Sequence, residues 1–189
     1  MPILAAEPDR YPPHLFDHPP AGRSWHVLHA KPRQEKSLAR HLRAAGISYY
    51  LPTVPRRCQA RGRVLVTHAP IFPGYLFLHA DRDERLTALT SNRVVHALPV
   101  HDQARLWDDL RQVERLLGAG LAVAAETRLA PGTPVEITTG PLAGLCGTVV
   151  RSGASRRFVV RVDFIQQGAS VVLEDCAVLP LRGAELAAS

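Results

Sequence analysis

The amino-acid sequence predicts an α+β protein in two parts: an α/β sandwich on an antiparallel sheet, then a small five-stranded β-barrel. Two helical periodicities lie among strand-like runs in residues 24–118. Five short β-branched runs, separated by Gly, Pro and Ser, fill residues 131–183. The Ala- and Gly-rich stretch 119–130 lacks a clear period and is therefore expected to be a linker, with a tail at 184–189.

Composition excludes several classes of protein. The 189 residues are 46% hydrophobic and 21% charged, which is ordinary for a folded soluble chain. There is no apolar run of about 18 residues and no secretory signal pattern, so no membrane association is expected. Three widely spaced cysteines favour neither a disulfide framework nor a metal knuckle, and they fit a reducing cytoplasm. We expect a cytoplasmic monomer without a metal or other cofactor.

Positive charge is concentrated at the start of the chain. Residues 1–63 hold 11 Lys and Arg against 4 Asp and Glu, a net +7, whereas the whole chain carries +6. This distribution indicates a local surface for a polyanion. Because 21 of the 23 cations are Arg, a compositional bias that has nothing to do with binding is the alternative.

The first elements include a cationic helix. Residues 1–23 contain six prolines and little apolar pattern, so a poorly ordered tail is expected. Residues 24–30 read as a strand, and 33–45 as a helix that Gly46 ends. At about 100° per residue, its apolar stripe lies opposite a row of four cations: Arg33, Lys36, Arg40 and Arg43. Such a row either tracks successive phosphates or is simply solvated.

The next segment combines basic and aromatic character. Strands are predicted at 49–54 and 63–67, joined by a basic connection that carries Arg56, Arg57, Arg61 and Arg63. This connection looks like a basic hairpin tip or loop, which is either simply solvated or a site for a polyanion or an acidic protein surface. The strand that follows the Pro73-Gly74 turn is apolar on both faces, so its second face must meet another layer or a partner. A further strand, RVVHAL, and a helix capped by Asp102 complete the first part.

Two segments together carry a resemblance to a known family. VEITTGPLAGLCGTVV, residues 135–150, resembles a KOW motif through Gly140, Pro141, Gly144 and Gly147. SWHVLHAKPRQEKSLARHL and IFPGYLF resemble the first strand and helix and the central strand of the NGN domain of NusG-type transcription factors. The order and spacing match over residues 24–182. YYLPTVPRRCQARGR lacks the acidic string of housekeeping NusG, and the chain looks closer to RfaH-like and UpxY-like specialised paralogues.

The resemblance implies a transcription elongation and antitermination factor. The NGN domain would bind the clamp helices of RNA polymerase through an aromatic patch, which comprises Trp25, Phe72, Pro73, Tyr75, Phe77 and Leu98. It would contact the non-template DNA strand through a cationic surface. Four of its members match positions that contact this strand in specialised relatives: Lys31, Gln34, His41 and Arg93. Three more are supported by charge and helix geometry: Arg33, Lys36 and Arg40. The KOW domain would recruit a ribosomal protein or the termination factor Rho.

Two other classes of function fit these residues less well. A ribosome-associated KOW protein that binds structured RNA would explain the barrel and the basic segment, but not the aromatic strand before it. Catalysis has no local support: GPLAGLCG lacks the Lys-Ser/Thr ending of a phosphate-binding P-loop, and no motif pairs Cys58 with a histidine. The sequence therefore predicts a protein that is not an enzyme.

Overall fold

A computed structural model describes residues 8–17, 22–60, 63–126, 132–152, 155–173 and 178–181. The chain divides into two compact units, residues 1–103 and 104–189. The sequence predicts a first domain at 24–118, whereas this division counts almost all of the last helix of that range with the second unit. No helix in the described part of the chain combines the length and the apolar character needed to cross a membrane.

The first unit is built on a five-stranded antiparallel sheet with two helices. The elements are β1 Arg10–Tyr11, β2 Ser24–Ala30, α1 Glu35–Ala44, β3 Ser48–Tyr50, β4 Thr53–Ala60, β5 Arg63–Pro70, β6 Tyr75–Ala80, α2 Arg82–Thr90 and β7 Val94–Pro99. The strands of the sheet run in the order β1-β3-β6-β2-β7, and β4 pairs with β5 in a separate two-stranded ribbon.

One face of this sheet forms the core with the two helices. Leu28 of β2 and Leu76 and Leu78 of β6 pack with Leu38 and Leu42 of α1, and all five are fully buried. Since side chains alternate along a strand, the intervening residues point to the opposite face. The predicted apolar stripe of α1 is therefore the stripe that reaches the core.

Local signals set the helix ends. Arg33 has φ 63°, a left-handed conformation that a helix cannot include, so α1 begins two residues later than the predicted start at 33. α2 begins at a capping box in which the Asp81 carboxylate accepts the backbone N–H groups of Asp83 and Glu84. The Glu84 carboxylate in turn accepts the N–H of Asp81.

Two expectations for the first unit are corrected. Residues 8–17 are part of the fold and not of a poorly ordered tail: β1 pairs with β3, and Phe16 is 7% exposed. The prolines of this segment do not prevent it from being ordered, because apolar side chains between them are buried. The basic connection is also shorter than predicted, since β4 and β5 pair as a hairpin in register from Thr53↔Pro70 to Ala60↔Arg63. Residues 1–7 and 18–21 of the predicted tail lie outside the described residues.

The second unit combines one long helix with a six-stranded antiparallel sheet. The helix α3 spans Gln103–Gly118, beginning at the division between the units. The strands are β8 Ala124–Glu126, β9 Thr133–Ile137, β10 Cys146–Ser152, β11 Ser155–Val162, β12 Gln167–Val172 and β13 Val178–Pro180. They lie in the order β13-β9-β10-β11-β12-β8 in the sheet.

Five of these six strands match the predicted ones, and the sixth is a correction. β8 lies inside the predicted linker 119–130 and pairs with β12, with Ala124 opposite Ser170. A short strand of Ala and Glu lacks the β-branched pattern that marks the others, so the sequence could not indicate it. The rest of the predicted linker includes 127–130, which lies outside the described residues.

Candidate functional site

The sheet face opposite α1 and α2 in the first unit carries a cluster of aromatic side chains. Cross-strand pairing places Trp25 opposite His79, Val27 opposite Phe77, and His29 opposite Tyr75. The strand on the other side of β2 adds His96 and Leu98 to the same face, and β3 adds Tyr50. The aromatic strand therefore has the two apolar faces that its sequence predicts.

Three of the six aromatic-patch residues are interior. Trp25 and Phe77 are 0% exposed and Phe72 is 1% exposed. Phe16 stacks on Trp25 with a centroid distance of 6.0 Å, and Phe72 meets Phe77 edge-on, also at 6.0 Å. These three rings form a base and not a contact surface, although the resemblance places all three in the polymerase-binding patch.

The other three patch residues can be reached from solvent. Pro73 is exposed, and Tyr75 and Leu98 are half-buried. The Tyr75 ring lies 5.5 Å from the His29 ring, which lies 5.1 Å from His96. The solvent-facing part of the patch is therefore an aromatic and imidazole edge supported from below by the buried rings.

The Pro73-Gly74 turn is fixed by hydrogen bonds to β2 and α1. The Gly74 carbonyl accepts from the Ala30 N–H at 2.8 Å, and the Gly74 N–H donates to the Glu35 carboxylate at 2.9 Å. Gly74 has φ 83°, and a Cβ there would lie 3.4 Å from the His29 ring. Glu35 therefore links the aromatic patch to α1, a role that sequence reasoning missed because its partner is a distant backbone N–H.

A second positioning residue is Gln103. Its side-chain oxygen accepts the Trp25 backbone N–H at 2.6 Å, while its side-chain nitrogen donates to the Trp25 carbonyl at 3.0 Å. The amide thus continues the pairing on the β7 side of β2, where the backbone register ends at His26↔Pro99. A lone Gln at a helix start gives no sequence signal for this contact.

The predicted cationic surface is assembled at the end of β2 and the start of β7. The Lys31 N–H donates to the Arg93 carbonyl at 2.8 Å, and the Lys31 ammonium donates to the Asn92 side chain at 2.7 Å. The Arg93 guanidinium donates from Nε to the Ser37 hydroxyl of α1 at 2.8 Å. These bonds bring Lys31 and Arg93 beside the beginning of α1, although 61 positions separate Lys31 from Asn92.

The remaining members of the cationic surface lie on or just before α1. Arg33 and Arg40 are exposed, while Gln34, Lys36 and His41 are half-buried. The Arg40 Nε donates to the Lys36 carbonyl at 3.4 Å, so these two cations share one side of the helix. Helical geometry places Gln34 and His41 along a flank, seven residues apart. The surface offers both charge and polar groups for bases.

The predicted glycine-rich motif forms a turn between β9 and β10. Gly140 and Gly144 have φ 81° and 77°, and the Gly144 N–H closes the turn on the Ile137 carbonyl at 2.7 Å. Pro141 is exposed beside them. A Cβ on Gly147 would lie 2.6 Å from a carbonyl oxygen of β11, so glycine is required by close strand packing there.

A charged cluster joins α3 to the β-strands of the second unit. Asp109, 4% exposed, accepts the Asp163 backbone N–H at 2.9 Å, and Arg105 donates to the Asp163 carboxylate at 2.9 Å. Burial raises the pKa of Asp109 to about 6, although the hydrogen bond from the Asp163 N–H and the positive charge of Arg105 act to lower it. Gln112 accepts the Cys146 N–H at 2.9 Å. Sequence reasoning missed the cluster because it depends on contacts between distant segments.

Two histidines on β2 and β6 lie in a basic environment. Burial lowers the pKa of His26, and Arg85 adds to the effect. Burial also lowers the pKa of His79, with Arg23 contributing and Glu84 opposing. Within the described ranges, no group of three or more His, Cys, Asp or Glu has the arrangement of a metal site.

Comparison with known proteins gives one family match. Residues 23–120, which are 98 of the 189 residues, match the model described as "NusG: Transcription termination factor nusG". Among solved structures, the chain is similar to "Domain interaction in Thermotoga maritima NusG" at 16% identity and TM-score 0.45. That similarity covers 85% of this chain and 98% of the other. The curated proteins contain no match.

Proposed function

Because the chain belongs to the NusG family of transcription factors, we propose that it is an elongation and antitermination factor that binds RNA polymerase through its first unit. The observation that carries the proposal is the sheet of that unit. One face is occupied by α1 and α2, while the other holds an aromatic patch with a solvent-reachable edge beside a cationic surface. A single domain can thus contact protein and nucleic acid at once.

The polymerase contact would be made by Pro73, Tyr75 and Leu98. Their side chains reach solvent, whereas Phe72 and Phe77 hold the strand and turn beneath them. Aromatic residues on a rigid base are effective in interfaces because few rotamers are lost on binding. We expect these three residues to meet the apolar side of the clamp helices.

The non-template DNA strand would lie along the cationic surface. Lys31, Arg33 and Lys36 supply charge for phosphates, as a single strand requires. Gln34 and His41, on the flank of α1, can donate hydrogen bonds to bases, and the imidazole can also stack on them. Holding both the clamp and the DNA would favour the elongating state of the polymerase over the paused one.

The second unit would recruit another factor through its β-sheet. The strand–turn–strand frame of Gly140, Pro141, Gly144 and Gly147 supports assignment of residues 131–183 as a KOW domain. A ribosomal protein or Rho is the partner that the family resemblance implies. We also propose that the protein is an operon-specific paralogue of the RfaH-like or UpxY-like kind. The support is its strand β4, which is basic where the housekeeping protein has an acidic string.

The first test is capture of RNA polymerase by the intact protein, followed by transcription through a pause and a terminator. Tyr75→Ala/Leu98→Ala should lose capture, since truncating interface anchors commonly costs about 2 kcal/mol or more. Leu179→Ala, a 59% exposed apolar residue of the second unit, is the matched control and should retain capture. Equal capture by both variants would contradict the assigned polymerase contact.

The second test addresses DNA in the assembled complex. Arg33→Ala/Lys36→Ala should weaken binding to polymerase that exposes a non-template strand, and the defect should shrink at high salt. Binding to ribosomes or structured RNA, without polymerase capture, would instead establish the ribosome-associated alternative.

A further inference from the structure

The ribbon formed by β4 and β5 is a separate element of the first unit. Its eight residue pairs run from Thr53↔Pro70 to Ala60↔Arg63, and its strands belong to no other sheet. At about 3.4 Å per residue the ribbon is about 25 Å long. None of the side chains described in this ribbon is fully buried, so the ribbon adds little to the core.

The charge of the ribbon is of one sign. Residues 53–70 contain four arginines and no Asp or Glu, and no acidic residue occurs from 47 to 80. Arg56 and Arg57 are exposed, and no carboxylate in the described part of the chain pairs with either guanidinium. The described ribbon therefore presents uncompensated positive charge to solvent.

One face of the ribbon adds apolar and amide groups to that charge. Cross-strand partners share a face, so the pairs Arg57↔Val66 and Gln59↔Val64 lie on the same side. Val64 is 62% exposed and Val66 51% exposed, and Gln59 is exposed. Isolated exposed valines are ordinary, but two of them beside a free guanidinium and an amide form a mixed surface.

We propose that this ribbon binds duplex DNA by entering the major groove with the face of Arg57, Gln59, Val64 and Val66. The major groove of B-DNA is about 12 Å wide and admits a two-stranded ribbon, whereas the major groove of A-form RNA is too narrow. Guanidinium and amide groups match purine edges, and the valines match thymine methyl groups. Arg56, on the opposite face, adds to the attraction for phosphates.

This proposal concerns a different element and a different nucleic acid from the cationic surface on α1. It needs no polymerase, so it is tested with the full-length free protein and a labelled mixed-sequence duplex of about 20 base pairs. Failure of the polymerase experiments would leave this test unaffected, and failure here would leave the polymerase contact standing.

The first experiment measures duplex affinity as salt is raised from about 50 to about 200 mM. Arg56→Ala/Arg57→Ala should lower affinity about tenfold or more. It should reduce the slope of log K against log salt by about 1, because Arg56 contacts phosphate, each phosphate contact contributes about 0.9, and Arg57 contacts a base edge. The control, Arg82→Ala/Arg156→Ala, removes the same charge from exposed positions elsewhere. Equal weakening by the two double variants would overturn the proposal.

The second experiment identifies the groove. A duplex with glucosylated hydroxymethylcytosine, which fills the major groove, should bind more weakly than the plain duplex, while netropsin, which fills the minor groove, should not compete. Val66→Glu should lose binding, and Val172→Glu, a 47% exposed position of the second unit, should keep it. Full binding of the glucosylated duplex, or equal affinity for double-stranded RNA, would refute insertion into the major groove.

Discussion

Asp109→Asn should stabilise the second unit relative to wild type more at neutral pH than at acidic pH. Burial raises the pKa of this carboxyl from 3.8 to about 6, so the folded state binds its proton more tightly than the unfolded chain does. The contribution of Asp109 to stability is therefore greatest below pH 3.8 and falls as the pH rises to about 6. Asparagine keeps an oxygen for the Asp163 N–H but has no charge to bury.

The expected size follows from the pKa shift. A difference of about 2 pK units at 1.36 kcal/mol each corresponds to about 3 kcal/mol. Urea unfolding of wild type and variant would be measured from about pH 3 to about pH 7, following NMR signals of the second unit. The free-energy difference between the two proteins should shift by about 3 kcal/mol in favour of the variant across this range.

The comparison has an internal control. Asp108→Asn removes the neighbouring carboxylate, which is half-buried and makes the smallest contribution to the raised pKa of Asp109, so most of the pH dependence assigned to Asp109 should persist. The Asp163 amide should also change its chemical shift with a midpoint near pH 6 in wild type and not in Asp109→Asn. A free-energy difference that does not vary with pH would refute the argument from burial.

Three further substitutions test packing and positioning. Phe77→Ala should cost about 3–5 kcal/mol in urea unfolding because the ring is fully buried, and a loss under about 1 kcal/mol would place it at the surface. Gly147→Ala should lower stability by about 1–3 kcal/mol because the added Cβ would lie too close to β11. The control Gly118→Ala, at a position with open space around it, should not lower stability. Similar melting temperatures for the two variants would contradict this prediction. Glu35→Ala should speed hydrogen exchange of the Gly74 amide, and Glu35→Gln should restore much of the protection; unchanged exchange in Glu35→Ala would exclude the bond.

Sequence periodicity was sufficient for most elements of the fold. The apolar stripe of α1, the alternation in β6 and the β-branched runs of the second unit all appear where their patterns predict them. The pattern failed for β8 and for residues 8–17, because both are ordered by pairing with distant strands and not by their own propensity. It also ended β4 too early, because Arg56 and Arg57 occupy strand positions that their residue type does not indicate.

By itself, the sequence determined the family, the two-part α+β organisation and the kinds of residue that the candidate surfaces contain, because these depend on local pattern and motif. Only the tertiary structure decided which of those residues reach solvent. Phe77 and Tyr75 lie on the same face of one strand, yet Phe77 is enclosed by Phe72 while Tyr75 lies at the edge beside His29. Burial is set by what packs over a side chain, and the packing partners come from segments far apart in the chain.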